Sequence, residues 1–238
     1  MATTRKSQAP IPAMTTRSRV DTTGAPASVE TIERHNRATR WFHAVIYLAG
    51  LTLLATGWWL LLGGEGKPSL LARVTGVPDT SLHKMIGWAF ALIALIGCVV
   101  GWRGARTFVA ESLRVARSDG RWFARWPAAL ITGRFGWHDG HFDPGQRILN
   151  LVMILSLLAL VLSGLGLVMV HGGPNFVWLA RVHKWSTYAA TPMIVGHFLV
   201  ASGILPGYRG VWRSMHLGGR LDRNVARRLW PGWLSRNS

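Results

Sequence analysis

Polar and basic residues fill the chain as far as Arg40, and from Trp41 the pattern changes to long apolar stretches. Four of these run without Lys, Arg, Asp or Glu: Trp41–Gly64, Met85–Trp102, Ile148–His171 and Trp185–Tyr208. None alternates as a strand would, and each is close to the roughly 20 residues that a helix needs to cross the hydrocarbon of a bilayer. The third stretch runs into Gly172, Gly173 and Pro174, which end a helix. The pattern predicts an all-α integral membrane fold, a bundle of four transmembrane helices over residues 41–64, 85–102, 148–171 and 185–208. Two further segments, RTFVAESLRVAR (106–117) and RNVARRLWPGW (223–233), set apolar residues on one side and arginines on the other. They read as short amphipathic helices at the membrane interface or as docking surfaces for a partner. Residues 1–33, rich in Thr, Ser, Ala and Pro, read as a disordered basic tail. Residues 34–215 form the membrane domain, and 216–238 a C-terminal tail.

Composition agrees with a membrane protein. The 238-residue chain is 49% hydrophobic and 16% charged, with 13 Trp. Its net charge of +17 fits either a nucleic-acid partner or basic cytoplasmic loops, and position decides. Of the 27 Lys and Arg, 22 lie in the two tails and the middle connection, and 5 lie in the first and third connections. The positive-inside rule places both termini in the cytoplasm and accounts for the charge with no nucleic acid. No apolar core precedes Trp41, so no signal peptide is expected. Cys98 is the one cysteine; it reads as a packing residue, and it rules out a disulfide within the chain, a thiolate-held iron–sulfur cluster and covalent c-type haem.

Histidines carry the candidate chemistry. His43 stands at the start of the first span, His83 at the start of the second, and His183 and His197 belong to the fourth. With the topology fixed by the arginines, His83 and His183 fall near the outer face, and His43 and His197 near the inner face. Fourteen residues separate His183 from His197, about 21 Å of helix rise and about 40° short of four full turns, so both leave the helix on one side. Two pairs of imidazoles, each bringing two helices together at one depth, match the axial ligation of two stacked b haems, with metal ligands His43, His83, His183 and His197. A zinc site is disfavoured, because ligands so far apart cannot share an ion. Single histidines in proton relay or packing remain the other reading. Lys84 and Lys184, each next to an outer ligand, and Arg37 and Arg40, before the inner one, are candidate partners for haem propionates. The alternative is snorkelling at helix ends. Gly57, Gly87, Gly164, Gly166 and Gly196 admit either porphyrin edges or close helix packing.

At RATRWFHAV, LHKMIGW, FDPGQR (142–147) and the His183–His197 spacing, the chain resembles the cytochrome b membrane subunit, the gamma subunit, of respiratory formate dehydrogenases, within the broader di-haem cytochrome b561-like family. The resemblance covers about residues 34–215. The histidine set is shared with the cytochromes b of hydrogenases and thiosulfate reductases, and FDPGQR is what favours formate dehydrogenase. The resemblance implies a multi-pass protein of the bacterial cytoplasmic (inner) membrane. Its expected partners are an iron–sulfur subunit and a molybdenum or tungsten catalytic subunit that oxidises formate on the outer side. Electrons would pass through the outer and then the inner haem to a quinone, menaquinone or ubiquinone, near the cytoplasmic face. It also implies that Asp143, Gly145 and Gln146 line the quinone site, where family members have Asn in place of Asp143. In the residues alone, DPGQ reads equally as a turn and a capped helix start. The nearby WHDGH reads as a polar turn, with proton supply as its functional alternative.

The chain is thus expected to be an electron-transfer, quinone-reducing subunit with no substrate chemistry of its own beyond quinone. The alternatives are a cytochrome b of a hydrogenase or another quinone-linked oxidoreductase, and a haem-free proton-coupled transporter.

Overall fold

A computed structural model describes residues 30–63 and 66–237. The chain begins with a short strand, β1 (Thr31–Glu33), followed by the first long helix, α1 (Arg37–Leu61). A short α2 (Leu70–Thr75) leads to α3 (Asp79–Val100). Two helices, α4 (Trp102–Ser112) and α5 (Asp119–Thr132), form the middle connection. Two more long helices follow, α6 (Pro144–Met169) and α7 (Gly173–Ala201). A 3-10 turn (Pro206–Tyr208), α8 (Arg213–His216), β2 (Arg220–Asp222), α9 (Arg223–Leu229) and α10 (Pro231–Arg236) complete the described chain.

Local chemistry sets the helix starts. Asn36 caps α1 by accepting from the Thr39 amide at 2.8 Å. Asp143 caps α6 by accepting from the Gln146 amide at 2.8 Å, with Pro144 in the first turn, where its missing N–H costs nothing. α6 and α7 are joined by a tight turn in which Gly172 (φ 77°) and Gly173 (φ 75°) take a backbone conformation that a Cβ disfavours. That turn replaces the loop expected before the fourth span. α7 starts at Gly173 rather than near Trp185, so His183 lies well inside the helix and not at its mouth. α3 likewise starts at Asp79, ahead of the expected Met85, because Asp79 is anchored by the Ser69 amide at 2.9 Å and by the Ser69 hydroxyl.

The long helices are arranged inside out. α1 packs mainly on α3, and α6 on α7. Three of them, α1, α3 and α6, are long and apolar enough to cross a membrane. At about 33–39 Å they exceed a hydrocarbon core of about 30 Å. Their apolar residues point outward, as at Leu92, Leu95 and Val99 of α3. The residues they bury include Thr56, Asn150, Ser156 and Ser163. Such a surface suits contact with lipid. Exposed tryptophans stand near both ends of the helices, Trp41 and Trp102 at one and Trp178 and Trp185 at the other, as at membrane interfaces. α7 falls short of the same apolar composition because it carries Arg181, Lys184, Ser186, Thr187 and Thr191. Cys98 is exposed on α3 rather than packed.

The tails differ from expectation. Residues 1–29 of the expected disordered tail lie outside the described residues, whereas Thr31–Glu33 form β1, paired antiparallel with β2 so that Ile32 opposes Leu221. This pairing brings both ends of the described chain to one face of the bundle, here the terminal face. Residues 216–238 were expected as a tail, and 223–233 as an interfacial helix. Instead, Ala226, Leu229, Trp230, Trp233 and Leu234 join Tyr208 and Leu221 in a buried core on the terminal face. Pro231 divides the segment, which folds as two short helices against the protein rather than one along the lipid. The middle connection is likewise two helices, α4 leaving α3 at Gly101 and α5 beginning after Arg117.

Candidate functional site

His83 on α3 and His183 on α7 face one another with ring centres 6.2 Å apart and planes inclined at 82°. His43 on α1 and His197 on α7 do the same at 6.2 Å and 50°. The four histidines paired from the sequence are therefore paired in space, the first pair toward the far face and the second toward the terminal face. Metal–imidazole bonds run about 2.0–2.1 Å and the ring centre lies about 1.1 Å behind the nitrogen, so two rings bracketing one ion sit about 6.2–6.4 Å apart. Both pairs have that separation. Among the described residues no group of three or more His, Cys, Asp or Glu gathers as a metal site. An ion between either pair would need its remaining ligands from a cofactor, and a porphyrin supplies four in one plane.

Hydroxyl groups orient the far pair. Thr56 on α1 donates its proton to the Thr52 carbonyl at 2.9 Å and lies 2.8 Å from His83 Nδ1. Ser163 on α6 donates to the Ala159 carbonyl at 2.5 Å and lies 3.0 Å from His183 Nδ1. With each hydroxyl proton spent on a carbonyl, the imidazole Nδ1–H donates and the hydroxyl oxygen accepts. This tautomer leaves the Nε2 lone pair of both rings free to bind a metal. A glycine follows each hydroxyl residue. A Cβ at Gly57 would stand 3.3 Å from His83 Cε1, and one at Gly164 would stand 3.3 Å from His183 Cε1. These two glycines make room for imidazoles, whereas Gly166 meets Leu179 of α7 and serves helix packing. Among the described residues the near pair has no such support, and His43 Nδ1 is buried without a partner.

The terminal face gathers the other candidates. Asp143 is buried, and burial pushes its carboxyl up to about 6 despite the helix-cap bond to the Gln146 amide and the positive charge of Arg147. Gln146 Oε1 accepts from Trp230 Nε1 at 3.1 Å, which leaves its amide N–H groups to donate. Gly145 lies under Trp122, whose ring a Cβ would meet at 3.0 Å. Arg147 pairs with Asp119 at 2.9 Å and donates to the Arg114 carbonyl at 2.8 Å. Of the cations considered for propionates, Arg40 donates from Nε to the Met215 carbonyl at 2.9 Å, while Lys84 and Lys184 are exposed. In WHDGH, His138 Nε2 donates to the Leu229 carbonyl at 2.8 Å, and His141 packs edge-on against Phe142 and Trp233. Burial, reinforced by the charge of Arg34, lowers His141 to about 4, so it is neutral at pH 7.

Sequence reasoning missed Thr56, Ser163, Arg34 and the two C-terminal tryptophans. The signal for the first two was a hydroxyl residue directly before a glycine in an apolar helix, ATGWW and LSGLG. For Arg34, Trp230 and Trp233 no local signal existed, since their contacts join the two ends of the chain.

Two pairs of imidazoles at metal-bracketing distance inside lipid-facing helices, one of them held by hydroxyls, fit a multi-pass membrane cytochrome b with a role in electron transfer. The family profile of prokaryotic cytochrome b561 matches residues 34–218, and the chain belongs to that family. No curated protein matches the chain. Membership implies b haem, and the paired histidines fit it.

Proposed function

We propose that the chain is the membrane subunit of a respiratory formate dehydrogenase. In this reading it carries two b haems, one between His83 and His183 and one between His43 and His197, in a bundle of four spanning helices. The terminal face is cytoplasmic in this reading, which the arginine distribution supports. The observation that carries the two-haem part is the repeated 6.2 Å spacing of histidine rings at two levels of α7, and the FDPGQR segment supports the formate dehydrogenase assignment.

When bound, each haem supplies a one-electron iron couple. The chain supplies the axial imidazoles, their orientation and a low-polarity surround. α7 holds both sites on one helix, about 21 Å apart along its axis. At the cytoplasmic end, Asp143, Gly145 and Gln146 form the quinone site. Reduction of a quinone takes up two electrons and two protons. Gln146 donates an amide N–H to one quinone oxygen, its orientation set by Trp230. Asp143, held near 6 by burial, carries and delivers a proton. Arg40, Lys84 and Lys184 pair with propionates at the two membrane faces. An iron–sulfur subunit and a molybdenum or tungsten catalytic subunit dock on the outer side, and the assembly sits in the bacterial inner membrane.

Isolation of the native complex through a tag on this chain tests the assignment. Co-isolation of a formate-oxidising subunit, with formate reducing b haem in the membranes, supports it. Reduction of that haem by hydrogen but not by formate would assign the chain to a hydrogenase instead.

A further inference from the structure

We propose that Thr56 and Ser163 set the outer haem at a lower reduction potential than the inner one, so that the bundle carries its own downhill path. The inference rests on the two-haem reading above and assigns positioning residues within it.

The geometry is asymmetric. Both outer imidazoles donate Nδ1–H to a hydroxyl oxygen, at 2.8 Å for His83 and 3.0 Å for His183. Both hydroxyls are in turn committed to helix carbonyls of their own span, at 2.9 Å for Thr56 and 2.5 Å for Ser163. A hydroxyl that donates is polarised into a stronger acceptor. Thr56 and Ser163 are both buried, at 5% and 2% exposure, so water does not compete for these bonds. The inner pair lacks the arrangement: the nearest rings to His43 besides His197 belong to Tyr47, and His43 Nδ1 has no partner.

Drawing on the Nδ1 proton makes the opposite nitrogen more basic and a better donor to a metal. Greater donation favours ferric over ferrous iron and lowers the potential. Two such bonds act on the outer site, one from each side. Because the two hydroxyls come from α1 and α6 while the ligands come from α3 and α7, all four long helices fix the electronic state of one site.

The test is redox titration of the purified full-length chain with both haems bound, comparing the parent with Thr56→Val and Ser163→Ala. Second-coordination partners of a metal ligand commonly change its behaviour by tenfold or more. The lower of the two midpoint potentials is therefore expected to rise in each variant by about tenfold in the ferric-to-ferrous ratio, about 59 mV for one electron. The higher potential should stay in place. Thr56→Ser, which keeps the hydroxyl, should titrate as the parent does. If both potentials are unchanged in variants holding both haems, or if the higher one moves instead, the inference is wrong. Should Thr56→Val lose a haem, retention of both by Thr56→Ser supports the hydroxyl as the cause, and loss in Thr56→Ser also overturns it. A parent chain with fewer than two haems would overturn the underlying two-haem reading and not this inference alone.

Discussion

The guanidinium carbon of Arg34 lies 4.2 Å from the ring centre of Trp233 and 4.6 Å from that of Trp230. Arg34 also donates to the His141 carbonyl at 2.9 Å. One cation thus clips the entry to α1, the loop before α6 and the last two helices together. Its burial lowers its pKa to about 9, an effect the charge of Asp143 opposes. Removing it as Arg34→Ala forfeits two stacking contacts of about 0.5–2 kcal/mol each. The thermal midpoint of the detergent-solubilised protein should fall, and Trp233→Ala, at about 3–5 kcal/mol, should lower it further. Haem content should be little altered in the Arg34 variant, since the clip lies outside the histidine pairs.

Asp143 gives the account a pH dependence. Its folded pKa of about 6 stands above the ordinary 3.8 because of burial. Between those values the folded chain holds a proton that the unfolded chain has released, so stability falls as pH rises through that window and levels off above it. Asp143→Asn keeps the α6 cap, because Asn caps as well as Asp, and removes the titrating group. Stability of the variant should lose its slope between pH about 4 and about 6. Quinone reduction, if Asp143 delivers its proton, should change near pH 6 in the parent and lose that change in the variant.

Gly57 and Gly164 should resist enlargement. A methyl at either position crowds the Cε1 of an outer imidazole at 3.3 Å. The helix gains propensity from Gly→Ala, about 1 kcal/mol, so unfolding midpoints are a poor readout. Haem quantification is a better one. Gly57→Ala and Gly164→Ala should weaken retention of the outer haem and spare the inner one.

The pairing of β1 with β2 and the arginine distribution make the proposed topology testable. Fluorescent reporters fused to either terminus should both be active on the cytoplasmic side. A reporter inserted at the turn near Gly66 should read as external. A split result for the two termini would remove the four-span arrangement.

How much of this was legible in the sequence depends on the range of the interaction. The apolar runs gave α1, α3 and α6, because lipid contact imposes composition residue by residue. The histidine pairs emerged because helix rise and the arginine count fix depth without any knowledge of packing. The start of α7 was misplaced by Arg181 and Lys184, which read as a loop but ride on a helix that begins at Gly173. The C-terminal segment was read as lying on lipid, since amphipathicity does not reveal what covers an apolar face; Tyr208 and Leu221 cover it here. Thr56 and Ser163 needed the fold, for their role exists only when α1 meets α3 and α6 meets α7.

Haem quantification on the purified chain tests the central claim most directly. Two b haems per polypeptide are predicted by reduced-minus-oxidised spectra and pigment assay, falling to one in His43→Ala, which leaves the His83–His183 pair whole. A folded, colourless chain, or a parent holding a single haem, would contradict it.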